Sequence, residues 1–525
     1  MASTSPRICP RSSQKTKRNN LLAPEPLHGR DPHVGSRRPE PSERLLGNYV
    51  IHTLGCKANT YDGQLIERAL NDRGWSQATD AATPDLIVVN SCTVTSEADR
   101  QSRKTAKRLS RRYPNAKVVM TGCGAEVDPD RHAETLGVDL VVGNQDKPAL
   151  VEMVLAEVGE KTSPKGEGKI LGGATGYDRK RAKHPDTRSW PSPDEAFFTP
   201  PVDVGRTRVF LKVQEGCDAF CTYCIIPYAR GPARHLRPID LVRQVREVCA
   251  QGAQEVVLTG TALGDYGDDS GDAFSFEDLV GLLLRETPLK RLRTSSLDPK
   301  ELSPRLREMI GSEPRLCPHV HVSLQSPHDL ILKRMKRRYG ADDVVETLSD
   351  LGQISDRLEM ERGLTGGLFV GMDVISGFPG ETETMHQWSM ERLASLPWHR
   401  LHVFPYSERE GTAATRLDNP VEPSVRKRRV RELMDLSRAR LRTHYTRVLA
   451  AGRPLDVLIE GPAPAVDSLE PGEWFSGYTA NYYRVFVPAA QVQEARGQQV
   501  TVEATGLRVM SNAGDLCLLA KRLTH

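Results

Sequence analysis

Apolar runs of strand length alternate with segments of helical period over most of the chain. The first three runs, "NYVIHT" (48–53), "DLIVVN" (85–90) and "KVVMTG" (117–122), predict buried strands, and helical patterns follow the first two. Six more lie between about 206 and 420: "TRVFLKV", "QEVVLTG", "LKRLRTSS", "HVHVSLQ", "GGLFVGMDVISG" and "RLHVFPY". Helical segments such as 239–251, 276–286 and 342–358 separate them. This alternation predicts parallel sheets whose ligands bind beyond the carboxyl ends of the strands. Six β/α units predict a partial (β/α)6 barrel with its site at that edge. Residues 423–450 predict a basic helical connector. After 453 come "PLDVLIE", "EWFSGYT", "YYRVFVP", "QVTVEAT" and "LCLLAKRL", five short strands that predict a small OB-like β-barrel, an architecture that often binds nucleic acid.

The fold class is therefore α/β: an N-terminal parallel α/β domain, a partial barrel and a C-terminal small β-barrel. Residues 1–46 are rich in Ser, Pro, Arg and Lys and are expected to be a disordered basic tail. Residues 47–156 form the first domain, 157–203 a linker or insertion, 204–450 the barrel with its connector, and 451–525 the last domain.

The predicted strand ends carry the chemistry. Cys56, Cys92 and Cys123 each follow a strand of the first domain, so they converge at one sheet edge although they are far apart in sequence. A second trio follows the first barrel strand. In "EGCDAFCTYCIIPYARG" (215–231), Cys217, Cys221 and Cys224 are spaced C-x3-C-x2-C. Structural zinc wants four ligands, and His235, the nearest fourth, sits off the usual finger spacing. Three thiolates on a 4Fe–4S cluster leave one iron open to an external ligand. Cys9, Cys249, Cys317 and Cys517 fit neither trio and read as a tail thiol and as packing.

Composition adds boundaries. The 525 residues are 27% charged and 38% hydrophobic, as in a multidomain soluble protein, and the net charge of +4 is too modest to name a partner. No run approaches the roughly 20 apolar residues of a membrane span, and no secretory apolar region follows the start. A cytoplasmic, reducing location is expected, where thiols bind metal more often than they pair. The distribution of charge says more. In "DRQSRKTAKRLSRR", Arg100, Arg103, Lys104, Lys107, Arg108 and Arg111 follow one helical face, while Ser102, Thr105, Ala106 and Leu109 lie on another. A stripe of one sign repels itself unless an anion meets it, so contact with an RNA backbone is expected. In "YTANYYRVFV", Tyr478, Tyr482, Tyr483 and Arg484 lie close together; Tyr482 and Arg484 are expected to stack on bases and bind phosphate. The helix Arg426–Arg447 is a connector or part of the same RNA surface.

With its C-x3-C-x2-C loop opening a barrel, the chain resembles the radical S-adenosylmethionine (SAM) superfamily. Over residues 48–521 it is similar to the methylthiotransferases, through "TLGCKANTYDG", "VVNSCTVTSEADRQSRK", "VVMTGC", "GCDAFCTYCIIPYARGPARHLRP", "MDVISGFPGETE" and "LHVFPYSEREGTAA". Its "LGCK-x-N" and "NSCTVT…DRQSRK" look most like the MtaB-type enzymes, which convert N6-threonylcarbamoyladenosine at tRNA position 37 to its 2-methylthio derivative. The isopentenyladenosine-37 enzymes usually carry Tyr-Gly-Cys and Gln in the first motif, and the ribosomal-protein enzymes Pro after that cysteine. Here Leu54 precedes Gly55–Cys56 and Lys57 follows. A non-catalytic iron–sulfur RNA-binding or redox protein is the remaining alternative, and the intact SAM motifs weigh against it.

The resemblance implies two 4Fe–4S clusters, with Cys217, Cys221 and Cys224 holding the SAM-binding one and Cys56, Cys92 and Cys123 an auxiliary one that supplies sulfur. It implies two SAM molecules, one a methyl donor and one reductively cleaved to a radical. It also implies a tRNA anticodon stem-loop as substrate, a flavodoxin- or ferredoxin-like electron donor, no membrane partner, a monomer, and a TRAM domain for the last barrel. Tyr223 is then expected near the adenine of SAM, Gly260 to allow close approach, Ser295 and Ser296 to bind ribose or carboxylate, and Asp373 to line the same mouth. Two features depart from the family: Pro327 stands in "LQSPH" where glycine is usual, and the 157–203 insertion is long.

Overall fold

The structure is a computed structural model that describes residues 46–79, 82–157, 167–172, 207–267, 274–464, 473–510 and 515–523. Cys9, nearly all of the basic tail and most of the 157–203 insertion lie outside the described residues. Six parallel strands form the first sheet: β1 (Gly47–Thr53), β2 (Trp75–Gln77), β3 (Leu86–Ser91), β4 (Lys117–Gly122), β5 (Leu140–Val142) and β6 (Lys169–Leu171), in the order β2-β1-β3-β4-β5-β6. Every residue of β3 is buried, which is why its sequence reads as one apolar run rather than an alternation. The helix Ser96–Arg112 covers one face through Ser102, Thr105, Ala106 and Leu109, as its pattern predicts. It starts where the Thr95 side chain accepts from Ala98 N at 3.1 Å, with Glu97 and Asp99 in the positive first turn. Strands β2, β5 and β6 were not anticipated; at three residues each they are too short to show a period.

The second body begins with β7 (Arg208–Lys212) and a two-residue ribbon of β8 (Gln214–Glu215) and β9 (Arg234–His235). Then follow β10 (Glu255–Thr259), β11 (Arg291–Thr294), β12 (Ser296–Leu297), β13 (His319–Gln325), β14 (Phe369–Ser376) and β15 (Arg400–Pro405). They pair in two parallel pieces, β11-β10-β7 and β12-β13-β14-β15. Only Ser295 separates β11 from β12, and its N–H still reaches Leu258 O at 3.0 Å. The pieces are thus one arc of six strand positions, with β7 and β15 as its edges, which is the partial barrel expected.

The first body spans the open side of this arc. Asp62, on the helix Lys57–Asn71, accepts from Lys212 of β7 at 2.7 Å. At the other edge, Ser96 N donates to Ser407 Oγ at 3.0 Å and Ser96 Oγ to Glu408 O at 2.9 Å, just past β15.

The helix Pro423–Ala451 then leads to β16 (Leu455–Pro462), β17 (Trp474–Thr479), β18 (Arg484–Pro488), β19 (Gln499–Val509) and β20 (Leu516–Arg522), a closed barrel in the order β16-β17-β18-β20-β19. Its core of Val457, Ile459, Val485, Val502 and Leu518 continues into Phe369 and Tyr445. The inner cations of the connecting helix serve the fold. Arg426 donates to Val421 O and Tyr406 O, and Arg429 to Glu381. The small barrel docks on the strand starts of the arc: Arg291 reaches Gln499 at 2.8 Å, Asn481 reaches Gly367 O at 2.8 Å, and Arg208 pairs with Glu460. No helix among the described residues is long and apolar enough to cross a membrane.

Candidate active site

A cavity of about 820 Å³ runs through the lumen of the arc. At the strand ends it is lined by Cys217, Cys221, Cys224, Tyr223, Gly260, Ser295 and Ser296; Cys56 of the first body faces the same space. Farther in lie His321, Asp373 and His402, and at the strand starts Lys57, His319, Tyr482 and Arg484.

Parallel pairing brings the dispersed trio together. β1, β3 and β4 are neighbours, and Cys56, Cys92 and Cys123 follow their carboxyl ends. Gly55, at φ +102°, lets the chain pass so close that a Cβ there would stand 2.7 Å from Cys92 Sγ. Cys92 and Cys123 are buried behind the more open Cys56. Burial, with Cys123 close by, pushes the Cys92 thiol up to about 12, and burial raises Cys123 as well.

In the second trio, Gly216 permits the turn into the loop; a Cβ there would lie 1.8 Å from Pro232 O. The loop is tied down by Cys217 N to Gly231 O (3.1 Å), Thr222 N to Met335 O (3.1 Å) and Ala414 N to Thr222 O (2.7 Å). Arg337 donates to Cys221 Sγ at 3.1 Å, contacts the Tyr223 hydroxyl at 3.5 Å and pairs with Asp298. Burial pushes Cys217 and Cys224 up to about 12. Among the described residues no three such groups are gathered around a single metal ion. Thiolates of a 4Fe–4S cluster bind different irons, so they stand wider apart than the ligands of one ion. The donor set, three thiols in each trio, fits such a cluster with one iron left free.

Gly260 is held where Thr261 N and Ala262 N both donate to Gln214 Oε1 at 2.8 Å; a Cβ on it would press on that oxygen at 2.9 Å. Asp373 Oδ1 stands 3.0 Å from His321 Nε2 and lies in register with His402, whose pKa is lowered to about 4 by burial and by Arg400. Of the helical stripe, Arg100, Lys104, Arg108 and Arg111 are exposed, and Arg103 and Lys107 partly so. Arg100 is bound to Glu97 and Arg103 to Asp99, one turn earlier. Tyr482 and Arg484 face the lumen. The Tyr482 ring lies tilted 4.4 Å from that of His319, under the guanidiniums of Arg293 (4.7 Å) and Arg208 (5.6 Å). Burial would raise its hydroxyl, yet Arg208, Lys57 and Arg293 together pull it below a tyrosine's ordinary value.

Several buried charged residues around the site were not foreseen. Between the two bodies lies a buried set of three cations, Lys147, Lys212 and Arg230, and two carboxylates, Asp62 and Glu215. Asp62 takes Lys212 at 2.7 Å, Lys147 at 2.9 Å and Arg230 at 3.1 Å; Glu215 takes Arg230 at 2.5 Å and also Lys212. Arg230 lies within electrostatic reach of Cys123 and Cys56, so the surplus positive charge faces the first trio. The one visible signal was Lys212, a charge inside an apolar strand. At the lumen wall, burial and nearby Asp298 push Glu301 up to about 7.

Residues 48–143 match "Uncharacterized protein family UPF0004", and 211–392 match the radical SAM superfamily. The chain is 33% identical over 441 residues to the threonylcarbamoyladenosine tRNA methylthiotransferase MtaB of Bacillus subtilis, covering 84% of this chain and 90% of that one. It is 35% identical to its Aquifex aeolicus counterpart, covering 75% and 89%. Among solved structures, the radical SAM methyltransferase TsrM of Kitasatospora setae aligns with a TM-score of 0.47 at 15% identity, over 68% of this chain and 74% of that one. The chain belongs to the radical SAM methylthiotransferase family, in its MtaB branch.

Proposed function

We propose that this enzyme transfers a methylthio group to C2 of N6-threonylcarbamoyladenosine at position 37 of tRNA, consuming two SAM and working in the cytoplasm with a flavodoxin- or ferredoxin-like electron donor. The observation that carries this reading is the single cavity onto which Cys56 and the Cys217, Cys221 and Cys224 trio open. A reaction that cleaves SAM at one cluster and delivers sulfur from another needs both centres on one enclosed space, because a carbon radical released into water is lost.

Cys217, Cys221 and Cys224 would hold the cluster that binds SAM, and Cys56, Cys92 and Cys123 the one that carries sulfur. When bound, these groups supply the one-electron reduction and the sulfur. The chain supplies the rest. Tyr223, Gly260, Ser295 and Ser296 line the place for SAM, and Asp373, set by His321, lines the lumen beneath. Arg337 holds the Cys221 loop, and the first body closes the open side of the arc against solvent. The stripe of exposed Lys104, Arg108 and Arg111, with the partly exposed Lys107, offers cations to the stem-loop backbone. The C-terminal barrel serves as a TRAM domain that also seals the lumen. Nucleoside mass spectrometry of tRNA from cells with and without the gene tests the assignment. The 2-methylthio derivative of threonylcarbamoyladenosine should vanish with the gene; unchanged levels refute it.

A further inference from the structure

We propose that Lys57 and Tyr482 form the subsite that recognises the carboxylate of the amino-acid substituent on the target adenosine. This rests on the substrate reading above and adds where that substrate is read.

The strand-start end of the lumen has more positive charge than it can satisfy. Two carboxylates serve three guanidiniums: Glu255 meets Arg293 at 2.7 and 3.1 Å, Arg291 at 3.9 Å and Arg208 at 4.0 Å, and Glu460 pairs with Arg208. Lys57 lines the cavity beside them, and among the described residues its ammonium makes no hydrogen bond or ion pair. The nearest acid across the lumen, Asp373, is engaged by His321 at 3.0 Å. Two more polar atoms are buried here without a partner among the described residues, Arg293 Nη1 and His319 Nδ1. Buried polar groups left in this state are costly and call for a ligand.

The backbone points the same way. Tyr482 sits at φ +72°, in the left-handed region that a tyrosine rarely adopts. Asn481 holds it there by donating to Thr365 O at 3.0 Å and Gly367 O at 2.8 Å, and Tyr482 N donates to Thr479 O at 3.0 Å. Strain maintained by so many bonds is typical of a functional position. Here it delivers a phenol from the last domain into the lumen, next to Lys57 from the first. An ammonium and a hydroxyl brought together at one end of the cavity fit a carboxylate. They reject an apolar substituent, which would bury the cation without compensation.

The test uses the full-length reconstituted enzyme and two anticodon stem-loops. One carries threonylcarbamoyladenosine, the other the same nucleoside with the threonyl carboxylate replaced by carboxamide. Wild type should prefer the acid. Lys57→Met should lose roughly 10- to 100-fold in kcat/KM on the acid, mostly through KM, and less than about 3-fold on the amide. Tyr482→Phe should show the same selectivity with a smaller loss. Wild-type iron content in both variants would show that the nearby thiols still load. Equal loss on the two substrates would give Lys57 to the RNA backbone and overturn the proposal, as would a wild type indifferent to the amide. A wild type that leaves threonylcarbamoyladenosine unmodified refutes the substrate reading itself, a separate outcome.

Discussion

Arg230 meets Asp62 at 3.1 Å across the seam between the first sheet and the barrel, and both side chains are buried. One guanidinium thereby binds the loop of the second cysteine trio to the helix that follows Cys56. Arg230→Gln should cost about 3–5 kcal/mol, the usual penalty for breaking a buried charge pair. A urea or thermal titration followed by a probe in the first body checks this. An unchanged midpoint would mean that the seam carries no strain on the fold.

The same network predicts acid sensitivity. Burial would raise Asp62 and Glu215, but their cations outweigh it and hold both below the ordinary carboxylate range. Their stabilisation is complete above the unfolded carboxyl value of about 4 and is lost as pH falls below it toward the depressed native values. The urea midpoint of wild type should therefore fall steeply below about pH 4. That of Asp62→Asn should start lower and fall less.

Gly55→Ala should displace Cys92, because no L side chain suits φ +102° there and the new Cβ would strike the sulfur. Iron analysis should show about half the wild-type iron per chain, since one of two clusters is lost. Reductive SAM cleavage should persist while methylthiolation stops. Loss of both activities in a folded variant would argue against separate roles for the two trios.

These sites differ in how far the sequence could reveal them. Most of the six arc strands and five small-barrel strands were legible as apolar runs bounded by turn residues; β11, with Arg291 and Arg293 inside it, was placed by its spacing from its neighbours. Cys217, Cys221 and Cys224 were legible from their local C-x3-C-x2-C spacing, and Cys56, Cys92 and Cys123 because strand ends in a parallel sheet share an edge. The seam was not. Asp62, Lys147, Lys212, Glu215 and Arg230 are five charges from distant segments, and only folding makes them one cluster. Tyr482 shows the limit from the other side. Tyr482 and Arg484 were expected to stack on bases and bind phosphate, but no local pattern showed that docking of the small barrel turns both toward the lumen.

Glu301 predicts a pH effect near neutrality. Burial and the Asp298 carboxylate raise it to about 7, with Asp265 adding to the rise and Arg337 opposing it. A raised acid favours the folded state while protonated, so its contribution declines as pH climbs from about 4.3 toward 7. Binding of a SAM analogue should inflect near pH 7 in wild type and stay flat in Glu301→Gln. An identical inflection in both would assign the titration to another group.

The exposed stripe makes a graded prediction. Lys104→Ala and Arg108→Ala should weaken stem-loop binding and lower the slope of log K against log salt by about 0.7–0.9 each. Arg100→Ala and Arg103→Ala should do less, since Glu97 and Asp99 already hold those guanidiniums. Titrations at several salt concentrations separate the two pairs.

The floor of the lumen comes from the last part of the chain, while one wall comes from the first hundred residues. In chain order the six thiols therefore precede the barrel that forms the floor. The C-terminal barrel arrives last and closes the chamber from below. A chamber assembled from both ends of the chain thus has its floor added after its thiols.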